Sequence, residues 1–416
     1  MDRQGGGGLV NRVSSVIALA ALAAAACKPW ATEDLSALGA APSYSAVSAG
    51  GGRTCGLGTD GSSWCWGSAI LGTISPTESC EQPYDPIYTP PPVECSSRPI
   101  RVSGGHHFVS LSAEGNATLA VDDAGTVWGW GSNPNGLLGA QNQNPYEEYP
   151  RPIVGTEGWR FRTISVATST ACGVTDDGRI VCWGEPTLID GSVERFSVTC
   201  PAGGVHCTVA PVQIGTGTSW AEVVVGNEHA CARDTGGSVS CWGLGQDGQL
   251  GSTPLASCPT NTFAVPCRLT PTPIAGSVKF ASLAAEGAQT CGVTTTGALM
   301  CWGKGVYTSS VPFTVGASGW KAVGISSGAP AVCGVRTDGT LWCAGQSQLG
   351  GFSALHQLAA TASFVGLGVG YQHACAWTAA GDAWCFGDRT DGELGDGAVG
   401  FQFQTSLVQV SLPYRD

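Results

Sequence analysis

Several stretches of this chain have the spacing of known chemistry. Gly324-Ile325-Ser326-Ser327-Gly328 matches the G-x-S-x-G of serine hydrolases. That motif works only as a strained elbow between a strand and a helix, where the serine oxygen is thrust out. Here the segment aligns with Val47-Ser48-Ala49-Gly50 and Val223-Val224-Val225-Gly226, which read as strand. Gly243-Leu244-Gly245-Gln246-Asp247-Gly248 has the dinucleotide spacing but neither the following helix nor the βαβ context. Asp388, Asp391, Glu393 and Asp396 form an acidic, Gly-rich loop whose oxygens suit Ca²⁺, but the spacing is not that of an EF-hand. His229 and His373 share one position that other copies fill with Arg53, Ala117, Thr170, Gln289 and Ala331. So mixed a position suits a structural hydrogen bond better than a ligand set. His106 and His107 have no evident carboxylate or thiol partner. No catalytic constellation, metal site or cofactor follows from the residues.

The cysteines carry more information. The chain of 416 residues holds 19. Six pairs share the spacing i, i+10: Cys55 with Cys65, Cys172 with Cys182, Cys231 with Cys241, Cys291 with Cys301, Cys333 with Cys343 and Cys375 with Cys385. Each pair brackets a turn, so the two residues face each other across a hairpin at disulfide distance. Leu119 and Gly129 replace both members together in a further copy. Three further pairs sit in the longest insertions: Cys80 with Cys95, Cys200 with Cys207, and Cys258 with Cys267. These nine bridges leave Cys27. No C-x-x-C occurs and the histidines are scattered, which weighs against zinc. So many bridges imply an oxidising compartment.

Residues 1–26 read as an export signal. Arg3 and Arg12 supply positive charge, and Val13 to Ala26 is apolar but short for a membrane span. Leu22-Ala23-Ala24-Ala25-Ala26 leads into Cys27, the pattern of a bacterial lipoprotein with Cys27 lipidated. Ala24 stands where such signals prefer Leu, and ordinary cleavage after Ala26 is the alternative. Residues 27–43 then form a tether, and 44–416 the folded domain. The expected location is outside the cytoplasm, lipid-anchored in the envelope or else secreted.

Those hairpins belong to a repeat. Each copy opens on an aromatic: Tyr44, Phe108, Phe161, Trp220, Phe280, Trp320 and Phe364, spaced 40 to 64 residues apart. Six of them lie 11 residues before the first Cys or Leu119. Trp320 lies 13 before Cys333, which places two extra residues near Gly328-Ala329-Pro330. Turns such as Thr59-Asp60-Gly61 supply glycine where a short hairpin needs positive φ. Short strands at this period, with a Gly/aromatic signature, indicate radial four-stranded sheets. The expected fold is all-β, a seven-bladed propeller of antiparallel blades. Leu407-Val408-Gln409-Val410 is expected to pair into the first blade and close the ring.

Gly226-Asn227-Glu228-His229-Ala230-Cys231-Ala232, Cys241-Trp242-Gly243 and Asp247-Gly248-Gln249-Leu250-Gly251 resemble the RCC1 repeat, as does the copy from Gly370 with Asp391-Gly392-Glu393-Leu394-Gly395. The resemblance covers about residues 44–412. It implies a seven-bladed propeller and a rigid disc whose loops bind a partner. Relatives include a eukaryotic exchange factor for the GTPase Ran and a secreted bacterial inhibitor of β-lactamases. Export separates this chain from a cytoplasmic GTPase.

Charged residues are only 12%, the net charge is −12, and Lys+Arg total 19 without a basic run. Phosphate backbones need clustered cations, so nucleic acid is excluded as a partner. The expected function is a monomeric binding or scaffold module with a protein partner. Membrane contact would come only through the lipid. The alternative is an envelope lyase or hydrolase with a site in the central pocket, which would need acids, bases or a metal converging from several blades. The insertions 68–98, 185–210 and 252–270, with 132–150, share one place in the repeat. They are therefore expected on one face, presenting Tyr84, Tyr88, Tyr146, Tyr149, Phe196 and Phe263 to the partner.

Overall fold

A computed structural model describes residues 42–413 except 69–71, 73–77, 81–92, 134–135, 140–143, 185–210, 254–255, 260–263, 327, 329, 346–348, 350, 352 and 401–402. The export segment and Cys27 therefore lie outside the described residues.

Seven antiparallel sheets form a ring of blades. Blade 4 shows the plan: Trp220–Val225, His229–Asp234 and Val239–Leu244 run as a meander, and Ala264–Pro273 is the outer strand. Blades 1 and 4 carry a short fifth strand at the rim, Glu78–Cys80 and Ala256–Pro259. In every blade the pairing slips by one residue after the leading aromatic, as between Tyr44 and Ala46 or Phe280 and Ser282. This bulge lets the ring turn inward across the second strand. In blades 1, 3, 5 and 6 the glycine of Cys-Gly makes room there, and in blades 2, 4 and 7 alanine holds that place. A Cβ at Gly56 would lie 2.3 Å from Tyr44 Cε1, and at Gly173 2.5 Å from Phe161 Cδ1. The Cys-Trp-Gly glycine answers a different need. Gly67 has φ +97°, and a Cβ there would meet the Gly52 carbonyl at 2.4 Å.

The register sets the two cysteines of each hairpin directly opposite one another. Among the described residues six bridges are seen whole, each within one blade. They join Cys55 to Cys65, Cys172 to Cys182 and Cys231 to Cys241. They also join Cys291 to Cys301, Cys333 to Cys343 and Cys375 to Cys385. Their Cα atoms are 4.0–4.1 Å apart. All twelve cysteines are buried. They cross-link the inner hairpins and offer no thiol to a partner. Leu119 faces Gly129 in the same register. Cys95 and Cys267 are disulfide-bonded as well. The side chains of Cys80 and Cys258, and all of Cys200 and Cys207, lie outside the described residues. Leading aromatics pack against the Trp of their own blade, as Tyr44 on Trp66 at 5.9 Å and Phe280 on Trp302 at 5.7 Å. Those tryptophans are fully buried between blades.

One expectation is corrected. The C-terminal strand Gln404–Gln409 does not enter the first blade. It pairs with Ala383–Gly387 and completes blade 7. Each blade takes its outer strand from the segment after its own third strand, so the C-terminus supplies the strand blade 7 still lacks. Blade 1 obtains its fourth strand, Val93–Arg101, from downstream. The ring closes by packing and hydrogen bonding between blades 7 and 1. Tyr44 N–H donates to Gly381 O, and Tyr371 N–H to Gly50 O.

Candidate functional site

First and third strands run in the same direction. The turns after the first strand and the insertions after the third therefore emerge on one face. The described ends of the insertions in blades 1, 2 and 4 leave the third strand at that end, while most of 69–92 and all of 185–210 lie outside the described residues. The structure places only part of the expected contact set. Tyr146 and Tyr149 lie on the outer strand of blade 2, Tyr146–Pro152, and are 48% and 37% exposed. Tyr146 pairs with Ser132 at the insertion end of the blade. A groove of about 340 Å³ runs past Pro145, Tyr146, Glu148 and Tyr149. Glu147 is held by Arg151 at 3.6 Å. Tyr84, Tyr88, Phe196 and Phe263 fall outside the described residues. Leu137 and Leu138, at the root of this insertion, are core: both are buried, and the Leu137 carbonyl accepts the Trp183 indole N–H at 2.8 Å.

The same face opens onto the central channel. First strands from all seven blades line a cavity of about 260 Å³. Serines stitch these strands together: Ser48, Ser112 and Ser165 each accept a backbone N–H from the next blade, at Ala113, Val166 and Val225. The lining is otherwise mostly small and apolar, with one exception. Glu114 of blade 2 and Glu286 of blade 5 both reach the channel and hydrogen-bond to each other. Glu114 also accepts the Gly115 N–H at 3.0 Å. Dense packing around it, then the charge of Glu286, push its carboxyl well above the ordinary range. Sequence reading missed this convergence. Ala113-Glu114-Gly115 and Ala285-Glu286-Gly287 recur at one repeat position, which was the available signal.

The other candidates resolve as structure. Ser326 lies in the strand Trp320–Ser326, buried, and donates to the Tyr371 carbonyl at 2.7 Å. His229 Nε2 meets Thr290 Oγ1 at 2.6 Å, and His373 Nε2 meets Thr54 Oγ1 at 2.7 Å. Each histidine therefore bonds the next blade. Burial lowers their pKa values to about 3 and about 4. In the acidic loop, Asp388 Oδ1 accepts from Thr390 and Asp396 pairs with Arg389. His107 does have a carboxylate neighbour, Asp123 at 3.9 Å, in an exposed pair. His106 packs on Trp128 at 3.9 Å between ring centroids.

Comparison with known proteins agrees with this architecture. Residues 220–249 match the model of the regulator of chromosome condensation (RCC1) repeat. That segment is similar to one RCC1 repeat. It is 27% identical to human regulator of chromosome condensation over 38% of this chain and 36% of that protein. It is 28% identical to the ultraviolet-B receptor UVR8 of Arabidopsis thaliana over 49% of this chain and 43% of the receptor. The matches thus span less than half of either relative. The crystal structure of human WBSCR16 superposes with a TM-score of 0.68 at 18% identity, over 84% of this chain and 94% of that one. That likeness concerns the fold.

Proposed function

We propose that this chain is an exported, lipid-anchored RCC1-like propeller that captures a protein partner on its insertion-bearing face. The carrying observation is the exposed Tyr146/Tyr149 edge of blade 2, at the insertion end of that blade. Large exposed rings are the usual anchors of interfaces. Buried bridges in six blades suit an extracytoplasmic site. The net charge of −12 favours a basic partner surface.

The test is capture from the native envelope by the full chain. Tyr146→Ala with Tyr149→Ala is expected to weaken capture at least about tenfold with the melting temperature unchanged, two anchors being lost. Unaltered affinity would move the site elsewhere. Shortening the blade 2 insertion must spare Leu137 and Leu138, which belong to the core. The anchor is tested separately: Cys27→Ser should release the protein from membranes, and unchanged fractionation with no acyl mass would mean simple cleavage.

A second reading rests on the Glu114–Glu286 pair, two acids converging from distant blades in the central pocket. Their oxygens engage each other rather than flanking a gap, which favours a structural pair. Glu114→Gln should leave partner capture intact; loss of capture would shift the site to the channel.

A further inference from the structure

The joint between blades 7 and 1 differs from the other six. Peptide chain runs directly from each blade to the next everywhere else. Here the first and last blades meet without it, and the six described intrablade bridges do not cross the gap. The contact is polar at its centre. Glu393, in the loop after the third strand of blade 7, is 4% exposed. Its carbonyl accepts two bonds from blade 1, the Trp66 indole N–H at 2.8 Å and the Thr54 hydroxyl at 2.9 Å. Thr54 also meets His373 of blade 7 at 2.7 Å.

The Glu393 side chain occupies a place that other blades fill with neutral residues. In blade 4 the equivalent is Gln249, buried at 0%, whose Oε1 accepts the Asp247 N–H at 2.9 Å. In blade 2 it is Leu137. Glu393 Oε2 accepts the Asp391 N–H at 2.8 Å, which reproduces the Gln249 bond. A protonated carboxyl is the isostere of that amide; a carboxylate is not. We propose that Glu393 makes the closing seam of the ring a proton-sensitive joint, tight while its carboxyl is neutral in the manner of Gln249 and loosened when it ionises.

The surroundings support the neutral form. On its own loop stand Asp388 and Asp391, of like charge, while Arg389 is paired with Asp396. From the second strand of blade 7 comes His373, held neutral by burial. Blade 1 brings Arg53, whose burial lowers it to about 10, together with the uncharged Thr54 and Trp66. Its outer strand brings Arg98, which reaches the Leu412 carbonyl. Burial first, then Asp388, raise the Glu393 carboxyl to about 8. The folded value lies above the unfolded one of roughly 4.3. The contribution is therefore complete below that lower value and is lost as pH rises through about 8.

The test is hydrogen exchange of the full chain, corrected for intrinsic rates, from pH 5 to 9. The reporters are seam amides Tyr44 and Tyr371, which donate to Gly381 and Gly50. The control is Asn227, which makes the equivalent bond to Gly287 between blades 4 and 5. Seam opening should rise by up to about tenfold per pH unit between 5 and 7.5 and level off above 8. The control amide should not follow. Glu393→Gln should flatten the seam profile. An equal profile at both junctions, or an unchanged seam profile in the Gln variant, overturns the proposal. Should that variant fail to fold, carboxyl NMR titration of the native chain decides: a Glu393 midpoint near 4.5 refutes it, and one near 8 upholds it.

Discussion

Blade 2 permits a direct test of the repeat logic. It alone among the blades places Leu119 and Gly129 where the others place a bridge, in the same register. Leu119→Cys with Gly129→Cys should install the missing disulfide. Gly129 does not have positive φ, so a side chain is allowed there. A Cβ at Gly129 would lie 2.8 Å from Leu119 Cδ2, which the first substitution removes. It would also lie 2.7 Å from Ile153 Cδ1 and Leu138 Cδ2, both ends of movable side chains. The strain and the loss of leucine packing also arise in L119C/G129S, which serves as reference. The remaining difference is the cross-link. At a sequence separation of 10, as in the six natural bridges, loop-closure entropy gives about 2.7 kcal/mol at 25 °C. Unfolding entropy of about 2.1 cal/mol/K per residue converts this to roughly 3 °C for a propeller of this size. The assay is calorimetry of both variants, with the bridge verified by unreduced peptide mass. A bridged variant melting no higher than L119C/G129S would refute the view that register alone makes this position a disulfide site.

Other outcomes follow from the interblade bonds. Thr290→Val should strand His229 Nε2 in a buried site and cost about 1–3 kcal/mol. Thr290→Ser should recover most of that, as read by chemical denaturation. His229 and His373 have folded values of about 3 and about 4, below the ordinary 6.5, with burial as the main cause. Their contribution is present above 6.5 and is lost as pH falls toward those values, giving acid destabilisation of a few kcal/mol. Replacing His373 with Gln should flatten that acid limb in melts between pH 3 and 7.

Much of the fold was legible because propeller repeats are local. The aromatic, the Cys pair and the Gly turn all lie within one meander, so their spacing encodes strand, register and bridge together. The allocation of the fourth strand was not legible. Leu407–Val410 is equally apolar whichever blade it joins, and only the pairing with Ala383–Gly387 assigns it. The candidate site was less legible still. Tyr146 and Tyr149 could be placed on a face from their repeat position, but their exposure depends on which edge of blade 2 is outermost.

The sequence by itself determined the sevenfold period and the within-blade bridges. Each of these depends on residues near one another in the chain. Tertiary structure decided the meeting of Glu114 with Glu286 across the channel, and the burial of Glu393 against Thr54 and Trp66. Those partners are distant in sequence and come together only when the ring closes. Their protonation then depends on lost solvent and shared charge, quantities that no local pattern encodes.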